Sequence, residues 1–97
     1  MRTEWSGSQA TLRIVIPHPM QTGRHAGDDG VVVPAHFIEE ITCEHVGRVV
    51  LRARWGSGIA RNPSLGLRLR RAAPGDEIRI AWVDNLGGRD VLVTRLE

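Results

Sequence analysis

The sequence predicts an all-β protein built as an antiparallel sandwich, and three observations carry that expectation. Apolar residues recur at every second position in four separate runs, which marks strands with one face buried and the other in water. Turn signals rich in Gly, Pro and Asn separate the runs, at spacings averaging near the roughly eight to twelve residues typical of sandwiches and barrels. No apolar stripe with the helical period extends beyond two turns.

Taken in order, residues 1–9 read as a flexible end, and residues 10–97 as a single domain. The first strand alternates Leu12, Ile14 and Ile16 with Thr11, Arg13 and Val15. Pro17 and Pro19 then flank His18, fixing the backbone and removing two ladder donors, so the strand ends there. A loop of about ten to fifteen residues follows, long for a compact domain. It passes the turn signal Asp28-Asp-Gly30 and leads into a strand over Phe37–Glu44. In that strand Cys43 is in phase with Phe37 and Ile41, which points the thiol inward.

His45-Val-Gly47 joins this strand to Arg48–Arg54 as a hairpin, with Val49, Leu51 and Ala53 on the inner face. Gly56-Ser-Gly58 and Asn62-Pro63 are the next turns, before Leu65, Leu67 and Leu69 alternate with Gly66, Arg68 and Arg70. Pro74-Gly75 precedes a strand over Glu77–Asp84, in which Ile78, Ile80 and Trp82 face inward. Leu86-Gly-Gly88 turns that strand into a last one over Asp90–Leu96. Six to seven short antiparallel strands of this kind fit an immunoglobulin-like sandwich. An open barrel is the alternative that the same periodicity allows.

Composition narrows the function classes. The longest apolar runs, such as Val31-Val-Val33, fall far short of the roughly 18 residues of a membrane helix. The N-terminus lacks an apolar core segment, so no secretory signal is expected on the chain itself. Cys43 is the sole cysteine, which excludes an intrachain disulfide. All thirteen basic side chains are Arg, yet the net charge is only +2. With acids interspersed, a nucleic-acid partner is not expected. Arg13, Arg52, Arg54, Arg68, Arg70 and Arg79 fall on solvent faces of strands, where they are either solvated or form a surface for an acidic protein.

Catalytic motifs are missing. There is no Ser-His-Asp order, no paired-carboxylate spacing, no Gly-rich phosphate loop and no His-Glu-x-x-His. Gly87-Gly88 lies in a hairpin, away from any helix N-terminus, so it cradles no phosphate. A copper electron-transfer site needs two His, a Cys and usually a weak Met ligand. His18, His25, His36, His45 and Cys43 are the available donors, but no Met follows Cys43-Glu-His45 closely. The expectation is therefore a binding module with no catalytic residue, metal or cofactor. The copper domain and a generic immunoglobulin-like adhesion module remain as alternatives.

Several segments together resemble the SoxZ family, the small subunits of the SoxYZ carrier of bacterial sulfur oxidation. They are Ile16-Pro-His-Pro-Met-Gln-Thr-Gly23, Asp29-Gly30, Pro34-Ala-His-Phe37 with Ile38, Thr42-Cys43, Gly47, Asn62-Pro63 and Trp82-Val-Asp-Asn-Leu-Gly87. They occur in the family's order and at about its spacing. Gln21 and Pro17 depart from the family's His-Pro-Met-Glu-Thr-Gly pattern, and the N-terminus is shorter, so the first strand is expected to be absent or supplied differently.

The resemblance implies an immunoglobulin-like sandwich that pairs with a SoxY-like subunit, whose cysteine on a Gly-rich arm carries the sulfur compound for other Sox enzymes. It implies a periplasmic location reached with that partner, and a cytoplasmic one without it. The residues expected to serve the partner are His18, Pro19, Met20 and Gly23 in the first loop, with Asn62, Pro63, Asp84 and Asn85 beside them. An exposed sheet edge at the N-terminus would let the isolated chain form a homodimer by strand addition.

Overall fold

The computed structural model describes residues 1–24, 26–59 and 61–97. Among these residues seven strands form two antiparallel sheets: β1 Arg2–Ser6, β2 Gln9–Val15, β3 Ile38–His45, β4 Arg48–Arg54, β5 Ser64–Leu69, β6 Glu77–Asp84 and β7 Arg89–Arg95. One sheet has the order β1-β2-β5 and the other β4-β3-β6-β7. This is an immunoglobulin-like sandwich in which the fourth strand joins the β3–β6–β7 sheet. Among the described residues no helix is long and apolar enough to cross a membrane.

The core follows from alternation. Leu12, Ile14 and Ile16 from one sheet meet Ile38, Ile41, Cys43, Ile78 and Ile80 from the other, all at most 4% exposed. Buried aliphatic side chains of this size each stabilise the fold by roughly 1.5–3 kcal/mol. The β3–β4 hairpin closes in two residues, Val46 and Gly47, with φ of 50° and 76°. Two positive φ values in succession make a turn whose twist matches that of the paired strands.

The structure corrects four expectations. Residues 1–9, expected as a flexible end, supply β1, which pairs with β2 from Arg2↔Arg13 to Ser6↔Gln9. Its placement depends on a distant contact, since the Trp5 indole donates to the Glu97 carbonyl at 2.9 Å. Residues 2–6 therefore cover that part of β2, and β1 itself becomes the outer strand of its sheet.

The second correction concerns β3. Its ladder with β6 shifts between Ile38 and Glu40, so Ile38 enters the core and Phe37 is only half-buried. Third, the β3–β4 register shifts between Cys43 and Glu44, which turns Val49 outward to 47% exposure while Leu51 and Ala53 keep their inward phase. Each bulge adds one residue to one strand and resets the period-two phase beyond it.

Last, the connection from β2 to β3 is longer than expected, spanning residues 16–37. It doubles back on itself, held by the bridges Gln21↔His36 and Ala26↔Val32. His25, one of the potential ligands, lies outside the described residues.

Cys43 is fully buried against Ile80 of β6. Burial, with Glu44 adding to it, pushes the thiol up to about 11. The thiolate is the reactive species, so native protein is expected to resist iodoacetamide at pH 8 and to be alkylated once unfolded. Intact mass before and after denaturation checks this, and rapid labelling of the native chain would refute it.

Candidate functional site

The chain leaves β2 through Pro17-His18-Pro19, and the loop it enters is tied by three remote residues, Asn62, Asp84 and Asn85. His18 forms a reciprocal backbone clasp with Asn62: its N–H donates to Asn62 Oδ1 at 3.0 Å, and the Asn62 N–H donates to the His18 carbonyl at 2.9 Å. Asn62 can do both because it adopts φ 49°, a conformation Asn tolerates better than most residues. Pro63 next to it is buried, and its carbonyl accepts the Ile16 N–H at 2.8 Å.

The second tie is a carboxylate. Asp84, buried at the end of β6, accepts four hydrogen bonds. Oδ1 takes the N–H groups of Leu86 and Gly88 at 3.0 and 2.7 Å, which shapes the β6–β7 turn. Oδ2 faces the Nε2 atoms of His18 at 3.2 Å and His36 at 2.7 Å. Burial alone would raise this carboxyl. The bonds from His18, His36, Gly88 and Leu86 outweigh it and hold the group down to about 2.

The rings are packed as well as bonded. His18 meets His36 edge-on at 4.6 Å between centroids and Trp82 at 5.1 Å. His18 is buried, whereas the His36 side chain is 32% exposed.

Asn85 makes the third tie. Its Oδ1 accepts the Phe37 N–H and its Nδ2 donates to the Ala35 carbonyl, both at 2.8 Å, so the returning arm of the loop is fastened to the β6–β7 turn. Met20 is buried at φ 48°. Its N–H donates to His18 Nδ1 at 3.1 Å, and its sulfur accepts the Ile38 N–H at 3.4 Å. Gly23, at φ 80°, lets the two loop arms touch: a Cβ there would lie 3.1 Å from that of Ala35.

His18, Met20, Gly23, Asn62, Pro63, Asp84 and Asn85 thus converge on one end of the sandwich and order the loop. Pro19 follows His18 but projects into solvent. Pro19 and Asn62 are the exposed members of the set, so most of the predicted residues shape the surface and do not form it. His36, Trp82 and Gly88 complete the network. His36 entered the sequence reading as a metal donor and within the Pro34–Phe37 segment, but not as a partner-binding residue, because nothing local in the sequence brings it to Asp84.

The nitrogens of His18 and His36 and a carboxylate oxygen of Asp84 all lie within 4.8 Å of one another. The tautomer decides what they do. His18 Nδ1 accepts the Met20 N–H, so its lone pair lies there and Nε2 carries the proton. A metal would need a bare Nε2 on that ring, so His18 acts as a donor to Asp84 and not as a ligand. Cys43 sits beside Ile80, four residues along β6 from Asp84, or roughly 13 Å at strand rise. His45 is engaged elsewhere, with Asp76 Oδ2 at 2.8 Å. Among the described residues, His18, His36, His45 and Cys43 do not assemble a copper set.

Residues 1–94 match a family model described as "Sulphur oxidation protein SoxZ". No curated protein matches the sequence.

Proposed function

Because the chain belongs to the SoxZ family of the Sox sulfur-oxidation system, we propose that it is the non-catalytic partner subunit of a SoxYZ-type carrier. On this reading it holds a Y-type chain whose cysteine bears the sulfur compound while other Sox enzymes act on it. The observation that carries the reading is the state of Cys43. A sulfur carrier needs an accessible thiolate, and this chain's single thiol is fully buried with its pKa raised to about 11. Carriage therefore belongs to another chain.

What this chain offers is a pre-ordered end. The loop over residues 16–37 is fastened at His18, Ala35, His36 and Phe37, so a partner meeting it would lose little affinity to ordering. The pair works in the periplasm, the Y-type chain bringing this one across the membrane.

Co-expression with the Y-type chain, followed by affinity capture and intact mass after loading with thiosulfate, tests the proposal. A one-to-one complex with sulfur adducts on the Y-type cysteine alone is expected. Adducts on Cys43, or no complex, would overturn it.

A further inference from the structure

The two sheets leave one flank of the sandwich uncovered. β1 pairs with β2 only as far as Arg2↔Arg13, so on that flank Ile14, Val15 and Ile16 have no strand beside them. Across the gap lies β7, an edge strand of the other sheet. Three consecutive β7 residues, Val91, Leu92 and Val93, are 46%, 48% and 55% exposed. Leu92 pairs with buried Ile80 and so points toward the opposite sheet, yet nothing in that sheet covers it. The result is a cleft of about 150 Å³ whose lining includes Ile14, Ile16, Pro17, Trp82, Val91 and Leu92.

The other outer strand of this sheet is protected. β4 reads Arg48-Val-Val-Leu-Arg52-Ala-Arg54, with charges that blunt an edge. β7 reads Arg89-Asp-Val-Leu-Val-Thr-Arg95, so its charges are confined to the ends and three successive apolar residues form its centre. An apolar edge with unpaired backbone groups is a template for one more strand.

We propose that β7 and this cleft receive one extended strand of the partner carrier chain, apolar at its centre and acidic at both ends. Arg89, Val91, Val93 and Arg95 share the outer face of β7, since they pair with Val83, Ala81, Arg79 and Glu77. Neither Arg89 nor Arg95 takes part in an ion pair among the described residues. An antiparallel partner strand therefore gains by placing a carboxylate opposite each Arg and apolar residues opposite the two valines. Its inward central side chain lands against Leu92 and the cleft.

The same charges argue against a second copy of this chain. Antiparallel β7–β7 pairing about Leu92 sets Arg89 opposite Arg95 twice, and like charges directly opposite are destabilising. The cleft also runs into Pro17, next to the ordered loop, so one partner covers both surfaces.

This inference rests on the proposed function, and the experiment separates the two. Affinity of the Y-type chain is measured for the wild type, for a Val91→Glu/Val93→Glu variant and for a Val46→Glu control in the β3–β4 turn, away from both the loop and β7, with amide hydrogen exchange on the free and bound chain. All three substituted valines are solvent-exposed, so the variants are expected to fold. Binding at least tenfold weaker for the β7 variant alone, with new protection at residues 89–93 on binding, is the expected result.

Equal binding of both variants, or protection confined to other strands, would overturn the docking site and leave the proposed function standing. Absence of any complex with the wild type would overturn both. Concentration-dependent protection of β7 in the isolated chain would assign the edge to a second copy and overturn the heterologous partner.

Discussion

Replacing Asp84 by Asn is expected to cost about 2–4 kcal/mol at pH 7, because one of four donors aimed at the carboxylate is left facing another donor. The amide oxygen can serve Leu86 and Gly88, but the amide nitrogen then meets His18 Nε2–H. His18 cannot switch tautomer, since its Nδ1 accepts the Met20 N–H. In a chain of this size, that loss lowers the melting temperature by roughly 10–20 °C.

The pH dependence carries the sign. Folding depresses the Asp84 pKa from 3.8 to about 2, so its stabilising contribution is present above about pH 4 and is lost as pH falls through 2. The gap between wild type and Asp84→Asn should therefore be widest near neutrality and narrow steadily toward pH 2. Urea titrations across that range measure it. Equal midpoints at pH 7 would mean that the four bonds contribute nothing net.

Gly88→Ala is the second substitution with a large expected effect. A Cβ there would stand 2.6 Å from Asp84 Oδ2 and 3.0 Å from both Cγ and Oδ1. That carboxylate is buried and held from four directions, so it cannot swing aside. A loss of about 1–3 kcal/mol is expected from the overpacking. Gly87→Ala is the comparison, at φ 84° with open space around its Cβ, where only backbone strain of roughly 1–2 kcal/mol arises.

The discriminating readout is the imidazole NMR signals of His18 and His36, which Gly88→Ala should shift and Gly87→Ala should leave in place. In a double-mutant cycle, Gly88→Ala should be clearly less costly in the Asp84→Asn background, because both act on one contact. Strict additivity would show that the alanine methyl never reaches the carboxylate.

Much of the fold was legible because period-two alternation is a property of each strand alone. Leu12–Ile16, Leu65–Leu69 and Ile78–Trp82 bury the faces that their spacing predicts. What the spacing missed needed a neighbour to see. The bulges that expose Val49 and bury Ile38 are features of a ladder, and β1, with Trp5 its one large apolar side chain, is placed by β2 and by a bond to Glu97.

The site divides in the same way. Its members could be picked from their segments, but their roles could not, because the bonds joining them cross 44 to 66 residues of sequence. His36 was the hardest to place, since the carboxylate that its ring meets lies 48 residues away.

Those long separations bear on the order in which the molecule assembles. The bonds from His18 and His36 to Asp84 need β6 in place, and their long sequence separations make them contacts expected to close late, after the main folding barrier. Stability lost there is paid mainly as faster unfolding, with the refolding rate little changed. The three histidine and aspartate side chains thus act as a latch on the finished sandwich, setting how long it stays closed more than how quickly it forms.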